Sequence, residues 1–471
     1  MAEQRLSPFE TKPIGRLLLK FALPAIISLV VNSIYNLVDQ IFIGQGVGYL
    51  GNASTNITFP FVTLYLMVFT LIADGGVAFF SLRQGARDNE VAQNTAGNMI
   101  SLSLIAGIAF LLLCEIFLQP LLRLFGAVPG TEVFLYALRY ARIMLIGTPF
   151  IAVSISLSTL IRADGNPAYS MIVTLSGCIL NVILDYIFIM VLHWGVTGAA
   201  LATVIGQVFN AALSLLYLRK FRTFRLTMKD LILRGSLIRR FLPLGISSAV
   251  VQASNTMMVI VANNILLRCG GDSIYGSDIV LAAFGIVMKV NAILISVMIG
   301  LGLGSQPIAG FNYGAQNYKR VRQTYRLCII TALVVGCIGW CVFQFATQGI
   351  VNLFGQESAL YNEFALRAFR VFLSACMILS ITYVTGIFLQ ALGKPMRSMI
   401  VAISRPVFFM LPFMIIFSHI WGIDGVLYSG PAADTCTFIV AALLGFFQMR
   451  KLKQLEREKA ARGAAGQAPP E

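Results

Sequence analysis

Twelve stretches of mostly apolar residues, each long enough to cross a bilayer, dominate this 471-residue chain. They fall at roughly 17–43, 56–80, 95–118, 138–161, 168–192, 196–218, 241–265, 279–304, 327–347, 368–390, 398–419 and 424–448. A helix needs about 20 such residues to span the hydrocarbon core. Charged residues make up only 12% of the chain, against about a quarter in a soluble domain, and the deficit runs the whole length. This excludes a soluble protein carrying a single anchor. The first run is too long, and its flanks are wrong, for a cleaved signal peptide. The fold expected is an all-α polytopic membrane protein with twelve transmembrane helices.

The net charge of +15 could point to nucleic acid, but its placement argues otherwise. With both termini on the cytoplasmic side, 27 of the 35 Lys and Arg fall on inner segments and six on outer segments or helix ends. That asymmetry is the positive-inside pattern. The charge sets topology and meets anionic membrane lipid, so no nucleic-acid partner is expected. The eight cysteines are scattered and form no CxxC pair, so neither a metal cluster nor a disulfide framework is expected. His193 and His419 stand beside Trp194 and Trp421 near run ends, where amphipathic rings favour the membrane interface. No nucleophile, metal or cofactor motif marks an embedded enzyme.

The chain is written twice, at an offset of roughly 228 residues. "SLRQGARDNEVAQ" answers "GFNYGAQNYKRVRQ", "ADGNPAYSMIV" answers "ALGKPMRSMIV", and "HWGVTGA" answers "IWGIDGV". Pro24 falls on Pro243. Each half holds six spans and both enter from the same side, a parallel repeat with a central cavity expected at the junction. The organisation expected is an N-terminal lobe at 1–218, a cytoplasmic basic linker at 219–240, a C-terminal lobe at 241–448 and a basic cytoplasmic tail at 449–471. The linker reads as basic and amphipathic, suited to the inner leaflet. The tail reads as a short helix running into disorder.

Polar residues that the repeat does not share need a separate account. Asp39, inside "SIYNLVDQIFIG", lines up with Met258. Asn181 and Asp185 line up with Phe409 and Phe413, and Thr203 with Gly430. An ionisable residue inside a span is costly and faces a partner or a water-filled cavity. At 1.5 Å per residue, Asp39 lies about 6 Å from the outer end of its run, and Asp185 and Thr203 about 10 Å from theirs. Asn181 is one turn from Asp185 on the same face. Four oxygen-bearing side chains therefore converge in one lobe. They are hard ligands suited to Na+, and two carboxylates in one buried site also suit a shared proton.

Other polar and soft residues are candidates for the substrate cavity: Asn36, Phe61, Asp74, Phe150, Gln252, Asn255, Met288, Lys289 and Arg405. Asp74 sits near the inner end of its span, within reach of arginines. Lys289 and Arg405 could balance acids, line the cavity or snorkel. The 17 Met and 34 Phe give soft apolar surfaces that suit promiscuous binding.

The stretches "PAIISLVVNSIYNLVDQIFIG", "GNPAYSMIVTLSGCILNVILDYIFI", "WGVTGAALATVIGQ" and "QPIAGFNYGAQNYKRV" resemble the multidrug and toxic compound extrusion (MATE) family, in its bacterial Gram-positive-type branch. The resemblance covers nearly the whole chain. It implies a V-shaped pair of six-helix lobes that export organic cations in exchange for H+ or Na+. It places the family's N-lobe cation site at Asp39, Asn181, Asp185 and Thr203, and its bending first-helix proline at Pro24. Some branches carry an acidic residue in span 7. Here "SSAVVQASNTMMVI" offers only Gln252, Ser254 and Asn255, so the resemblance does not extend to a C-lobe cation site there. The expected protein is a monomeric antiporter of the bacterial inner membrane, with both termini cytoplasmic. Its partners are small organic cations and lipids, it has no cofactor, and its coupling ion is H+ or Na+. The alternative is a flippase of lipid-linked saccharide in the same superfamily, which would want several cationic residues in its cavity where this chain offers Lys289 and Arg405.

Overall fold

A computed structural model of the chain describes residues 8–221, 226–353 and 359–464. The first repeat contains α1 (Pro8–Thr11), α2 (Ile14–Gly46), α3 (Tyr49–Gly85), α4 (Asn89–Ile116), α5 (Leu118–Leu124), α6 (Glu132–Ile146), α7 (Thr148–Ala163), α8 (Pro167–Asp185) and α9 (Gly195–Tyr217). The second contains α10 (Gly235–Gly271), α11 (Ser277–Gly314), α12 (Tyr318–Phe345), α13 (Thr347–Leu353), α14 (Ala359–Phe372), α15 (Cys376–Ala391), α16 (Pro395–Ile403) and α17 (Leu411–Ala464). π-helical stretches, Tyr186–Val191 and Ser404–Met410, continue α8 and α16. No strand occurs among the described residues.

Nine helical stretches among the described residues are long and apolar enough to cross a bilayer, and two bent pairs bring the number to eleven. One of the nine, Pro395–Ala461, has 67 residues, about 100 Å of helix at 1.5 Å per residue. It breaks at Gly422, where φ is 57° and ψ is -131°. It therefore supplies two spans, and the total is the twelve expected from the sequence. The bent pairs are α6 with α7, at 48°, and α14 with α15, at 52°. The runs at 138–161 and 368–390 look continuous in sequence, yet each is interrupted. In the first, Pro149 opens α7 and, having no N–H, cannot continue the preceding ladder. The hydroxyl of Thr148 donates to the Leu145 carbonyl at 2.7 Å.

The repeat extends to the backbone. Arg87 and Gln316 both adopt positive φ, at 62° and 55°, as do Gly165 and Gly393, at 95° and 68°. These pairs occupy repeat-related turns. α3 and α11 end at Gly85 and Gly314, so the shared Gly-Ala dipeptide marks the same helix terminus twice.

The chain divides into two compact units. One comprises Pro24–Gln84 and Asp88–Ala253; the other comprises Met1–Leu23, Gly85–Arg87 and Ser254–Glu471. In the first unit, Phe80, Met99, Leu157, Leu160, Tyr217 and Phe241 form the largest buried cluster. α3 and α10 approach until their backbones touch: a Cβ on Gly245 would lie 1.9 Å from the Leu71 carbonyl oxygen. Small residues permit this approach where packing, not water exclusion, drives helix association in lipid.

The segment after α9 docks on α4 through a short turn, with Met228 and Ile232 left exposed. A 3-10 turn at Met228–Leu231 carries a capping box between Thr227 and Asp230. Asn98 of α4 donates to the carbonyls of Asp230 and Ile232, at 3.3 and 3.1 Å, and its Oδ1 accepts from the Arg234 N–H at 2.6 Å. Ser101 donates to the Leu231 carbonyl at 2.7 Å, and Gln93 to the Asp230 carboxylate at 2.7 Å. Residues 222–225 of the linker lie outside the described residues.

In the second unit, Phe9 sits between Phe21 and Phe311, with ring centroids 5.3 and 5.2 Å away. Arg320 donates to the Phe9 and Lys12 carbonyls at 2.8 and 2.6 Å. The basic end of α17 is helical to Ala464 and is held by buried Leu452 and by an Arg322–Glu456 ion pair at 2.5 Å. The rest of the expected disordered tail, 465–471, is outside the described residues.

Candidate functional site

Asp39, Asn181, Asp185 and Thr203 come together inside the first unit. Asp39 is carried by α2, Asn181 and Asp185 by α8 one turn apart, and Thr203 by α9. Their exposures are 7%, 3%, 0% and 9%, so all four face protein and none faces lipid. The Asp39 and Asp185 carboxyl groups meet, and Asp39 also meets Gln40. Asn181 Nδ2 donates to Thr203 Oγ1 at 3.3 Å, and Thr203 donates in turn to the Ala199 carbonyl at 3.1 Å. Asp39 Oδ1, Asn181 Oδ1 and both oxygens of Asp185 are buried without a donor. Buried acceptors in that state are costly. Two ionised carboxylates cannot hydrogen-bond to one another, so the contact calls for a shared proton or a cation between them.

Two tyrosines complete the surroundings. Tyr35, one turn before Asp39 on α2, meets Thr203 and lies in the field of both carboxylates. Tyr140 of α6 lies in the same field, with Tyr65 beyond it. Neither tyrosine is among the residues expected from the sequence. For Tyr35 the signal was available, since i and i+4 share a helix face; for Tyr140, nothing in the sequence specified that α6 turns that side inward. One turn beyond the carboxylates, away from the linker, Ile43, Ile189, Val196, Ala199, Ala200 and Tyr140 form a buried apolar cluster.

At the repeat-related place the second unit is apolar. Met258 is buried in the unit's core, and Phe409 and Phe413 pack against that same cluster. Phe409, Phe413 and Phe417 stack in sequence, with centroids 6.1 and 5.2 Å apart. Met258, Phe409 and Phe413 offer no hard ligand.

The remaining candidates disperse. Pro24 lies within a continuous α2, its carbonyl accepting from Ser28 Oγ at 2.8 Å. Asn36 is exposed and donates to the Asn32 carbonyl at 2.7 Å. Phe61 is buried against Phe125 with centroids 5.1 Å apart, a packing position. Phe150 is 40% exposed, Gln252 is half-buried and Asn255 exposed. Met288 packs on the core of the second unit, while Lys289 is exposed. Asp74 faces Ser248 and lies in the field of Arg162, whose guanidinium reaches Ser158 and Ser170 at 3.4 Å. Arg405 is fully engaged: its Nε donates to Asp434 Oδ1 at 2.6 Å, both groups are buried, and Tyr383 lies alongside. Asp434 was missed in the sequence, although a carboxylate inside the last span carried the same signal as Asp39.

Comparison with known proteins agrees with this architecture. The MatE family model matches residues 24–187 and 243–416, one match per repeat. The chain is 26% identical over 445 residues to the multidrug export protein MepA of Staphylococcus haemolyticus, covering 93% of this chain and 95% of that protein. It is 23% identical to MepA of Staphylococcus saprophyticus, covering 96% and 98%. Among solved structures, an outward-facing multidrug resistance MATE transporter of the MOP superfamily superposes with a TM-score of 0.89 at 24% identity, covering 95% of this chain and 98% of the other. A MOP superfamily transporter from Pyrococcus furiosus superposes with a TM-score of 0.88 at 24% identity, again covering 95% and 98%.

Proposed function

Because the chain belongs to the MatE family, we propose that it is a secondary active exporter of organic, mostly cationic compounds, driven by inward movement of H+ or Na+ through alternating access. The observation that carries the coupling half of this reading is the meeting of Asp39 and Asp185 from two different helices. A proton or a metal cation between them would relieve the repulsion of two buried carboxylates. Asn181 Oδ1, buried and unpartnered, is a further hard ligand, and Thr203 holds the Asn181 amide in place.

In this mechanism the cation neutralises the pair and draws α2 and α8 together. Its departure leaves two buried carboxylates repelling one another, which disfavours the closed arrangement of the two helices. Coupling follows if the drug binds the two arrangements with different affinity, since a ligand shifts an equilibrium only by its differential affinity. Pro24, inside α2, removes one backbone hydrogen bond and makes that helix bendable on the inner side of Asp39. The repeat lobes, 1–218 and 241–448, take unequal roles: the first couples, and the second packs apolar residues where the first has ligands. The excess of basic residues on alternate segments supports cytoplasmic termini, in a chain that works as a monomer in a bacterial inner membrane.

The decisive experiment is transport of a fluorescent organic cation in proteoliposomes with pH and Na+ gradients imposed separately. Accumulation driven by one gradient and lost in Asp39→Asn supports the reading. Transport indifferent to both gradients overturns it.

A further inference from the structure

Below the acidic pair, the first unit carries a row of polar side chains that the coupling reading leaves unused. Thr203, Gln207, Asn210, Ser214 and Tyr217 recur along α9 at helical spacing, on one face. Gln207 Oε1, Asn210 Oδ1 and Ser214 Oγ are all buried with no hydrogen-bond partner, and Ser214 is 0% exposed. Buried polar atoms are paired in the great majority of cases, so three consecutive orphans on one face call for a function. Two glycines make room for them. A Cβ on Gly177 of α8 would lie 2.2 Å from Asn210 Oδ1, and one on Gly147, between α6 and α7, would lie 2.1 Å from Gln207 Oε1. At the far end of the row, Tyr217 donates to Asp164 at 2.8 Å, and Tyr169 of α8 donates to the Leu213 carbonyl at 2.8 Å.

The row has a direction. It starts beside Asn181 and Thr203 and ends where α9 meets the basic linker. From Thr203 to Ser214 it covers about 16 Å of rise. On the other side of the acidic pair stands the apolar cluster of Ile43, Ile189 and Val196. The pair is thus sealed by hydrocarbon towards one end of the unit and lined by oxygens towards the other.

The second repeat provides the internal control. By the alignment of the two halves, Arg405 takes the place of Gly177 and Asp434 that of Gln207. There the seam is closed by an ion pair at 2.6 Å. The lobe without a cation cluster is filled at the level where the lobe with one is left polar and unpaired.

We propose that the polar face of α9 carrying Gln207, Asn210 and Ser214, which meets the α6–α7 junction at Gly147 and α8 at Gly177, is the hydrated path by which a monovalent cation leaves the Asp39–Asp185 site towards the linker end of the first lobe. The path rests on the coupling reading above and adds its exit. Successive oxygens stand about 4.5 to 6 Å apart along the helix axis, a separation that one or two waters bridge. The same oxygens serve hydronium and Na+, and the two are separated by the test.

The test uses the full-length protein in proteoliposomes, with an imposed pH gradient in one arm and an Na+ gradient in the other. It compares wild type, Asn210→Leu, Ser214→Ala and their double variant. Equilibrium binding of a fluorescent organic cation, measured across pH and Na+ concentration, reports the acidic site separately from the path. The expected result is wild-type drug affinity and wild-type cation dependence of binding. Gradient-driven exchange should slow by about tenfold or more, a barrier increase of about 1.4 kcal/mol, in whichever arm drives transport. Asn210→Ser, which keeps an oxygen, should exchange within about threefold of wild type, under 1 kcal/mol of barrier. If Asn210→Leu does not bind drug, Gly177→Ala carries the test instead, because its methyl group occupies the space of the Asn210 amide. Wild-type exchange rates in variants that bind normally overturn the path alone. A wild type whose drug binding ignores both cations overturns the coupling reading and the path together.

Discussion

Arg405 and Asp434, 29 residues apart in sequence, lie 2.6 Å apart, Nε to Oδ1, and both are buried within one unit. A buried pair of this kind is held by mutual compensation. Removing one partner strands a charge, at a cost of about 3–5 kcal/mol, whereas replacing both by apolar groups is often neutral. Arg405→Met and Asp434→Leu should each lower the melting temperature of the detergent-solubilised protein sharply. The double variant should recover most of the loss. A double variant as unstable as the worse single one would mean that the pair does more than neutralise itself.

Asp39→Asn and Asp185→Asn should each abolish coupled export while expression stays near normal. Each substitution keeps the shape and removes the charge on which the proposed coupling depends. Cells carrying either variant and retaining full drug resistance would remove the acidic pair from the mechanism.

Met258→Asn and Phe413→Asn should leave the cation dependence of drug binding as in wild type. These residues pack together in an apolar core, so the substitutions cost stability or alter drug range. The measurement is drug affinity across about pH 5 to 9, the range into which burial and a like-charged neighbour move a carboxylate, and across Na+ concentration. If these variants lose the cation dependence while the Asp39 and Asp185 variants keep it, the two lobes have been assigned the wrong roles.

The docked linker gives a pH prediction. Burial raises the Asp230 carboxyl, but hydrogen bonds from Gln93 and from the N–H and hydroxyl of Thr227, with the Arg234 charge, outweigh it and hold the group below the usual carboxylate range. A group lowered on folding contributes stability that is present above its unfolded value, about 3.9, and is lost as pH falls through the folded value. Asp230→Asn should therefore melt lower than wild type from neutral pH down to about pH 4, and the two should converge below it. A difference independent of pH would assign the effect to geometry rather than charge.

A cysteine added after Glu471 should react with a membrane-impermeant reagent only once cells are permeabilised. Labelling in intact cells would place the termini outside and invert the direction assigned to the polar seam.

The sequence alone determined the twelve spans, the doubled architecture, the charge asymmetry and the four polar residues that meet in the first lobe. Each of these is a cost of transfer into lipid that can be assigned residue by residue. A carboxylate in an apolar run must face protein, wherever its partner lies, and so Asp39 and Asp185 were legible. The alignment of Met258, Phe409 and Phe413 opposite them made the inequality of the lobes legible too. What only the tertiary structure decided is which faces meet. In water, polar residues mark the outer side of a helix; in lipid the outer side is as apolar as the core, and hydropathy no longer reports rotation. Phe59 is 59% exposed and Phe61 4%, two residues apart in the same run. For that reason the sequence could not set Tyr140 beside the acidic pair, join Arg405 to Asp434, or line up Gln207, Asn210 and Ser214 along one seam. Those relationships depend on how each helix is turned against its neighbours, which is set by contacts between segments distant along the chain.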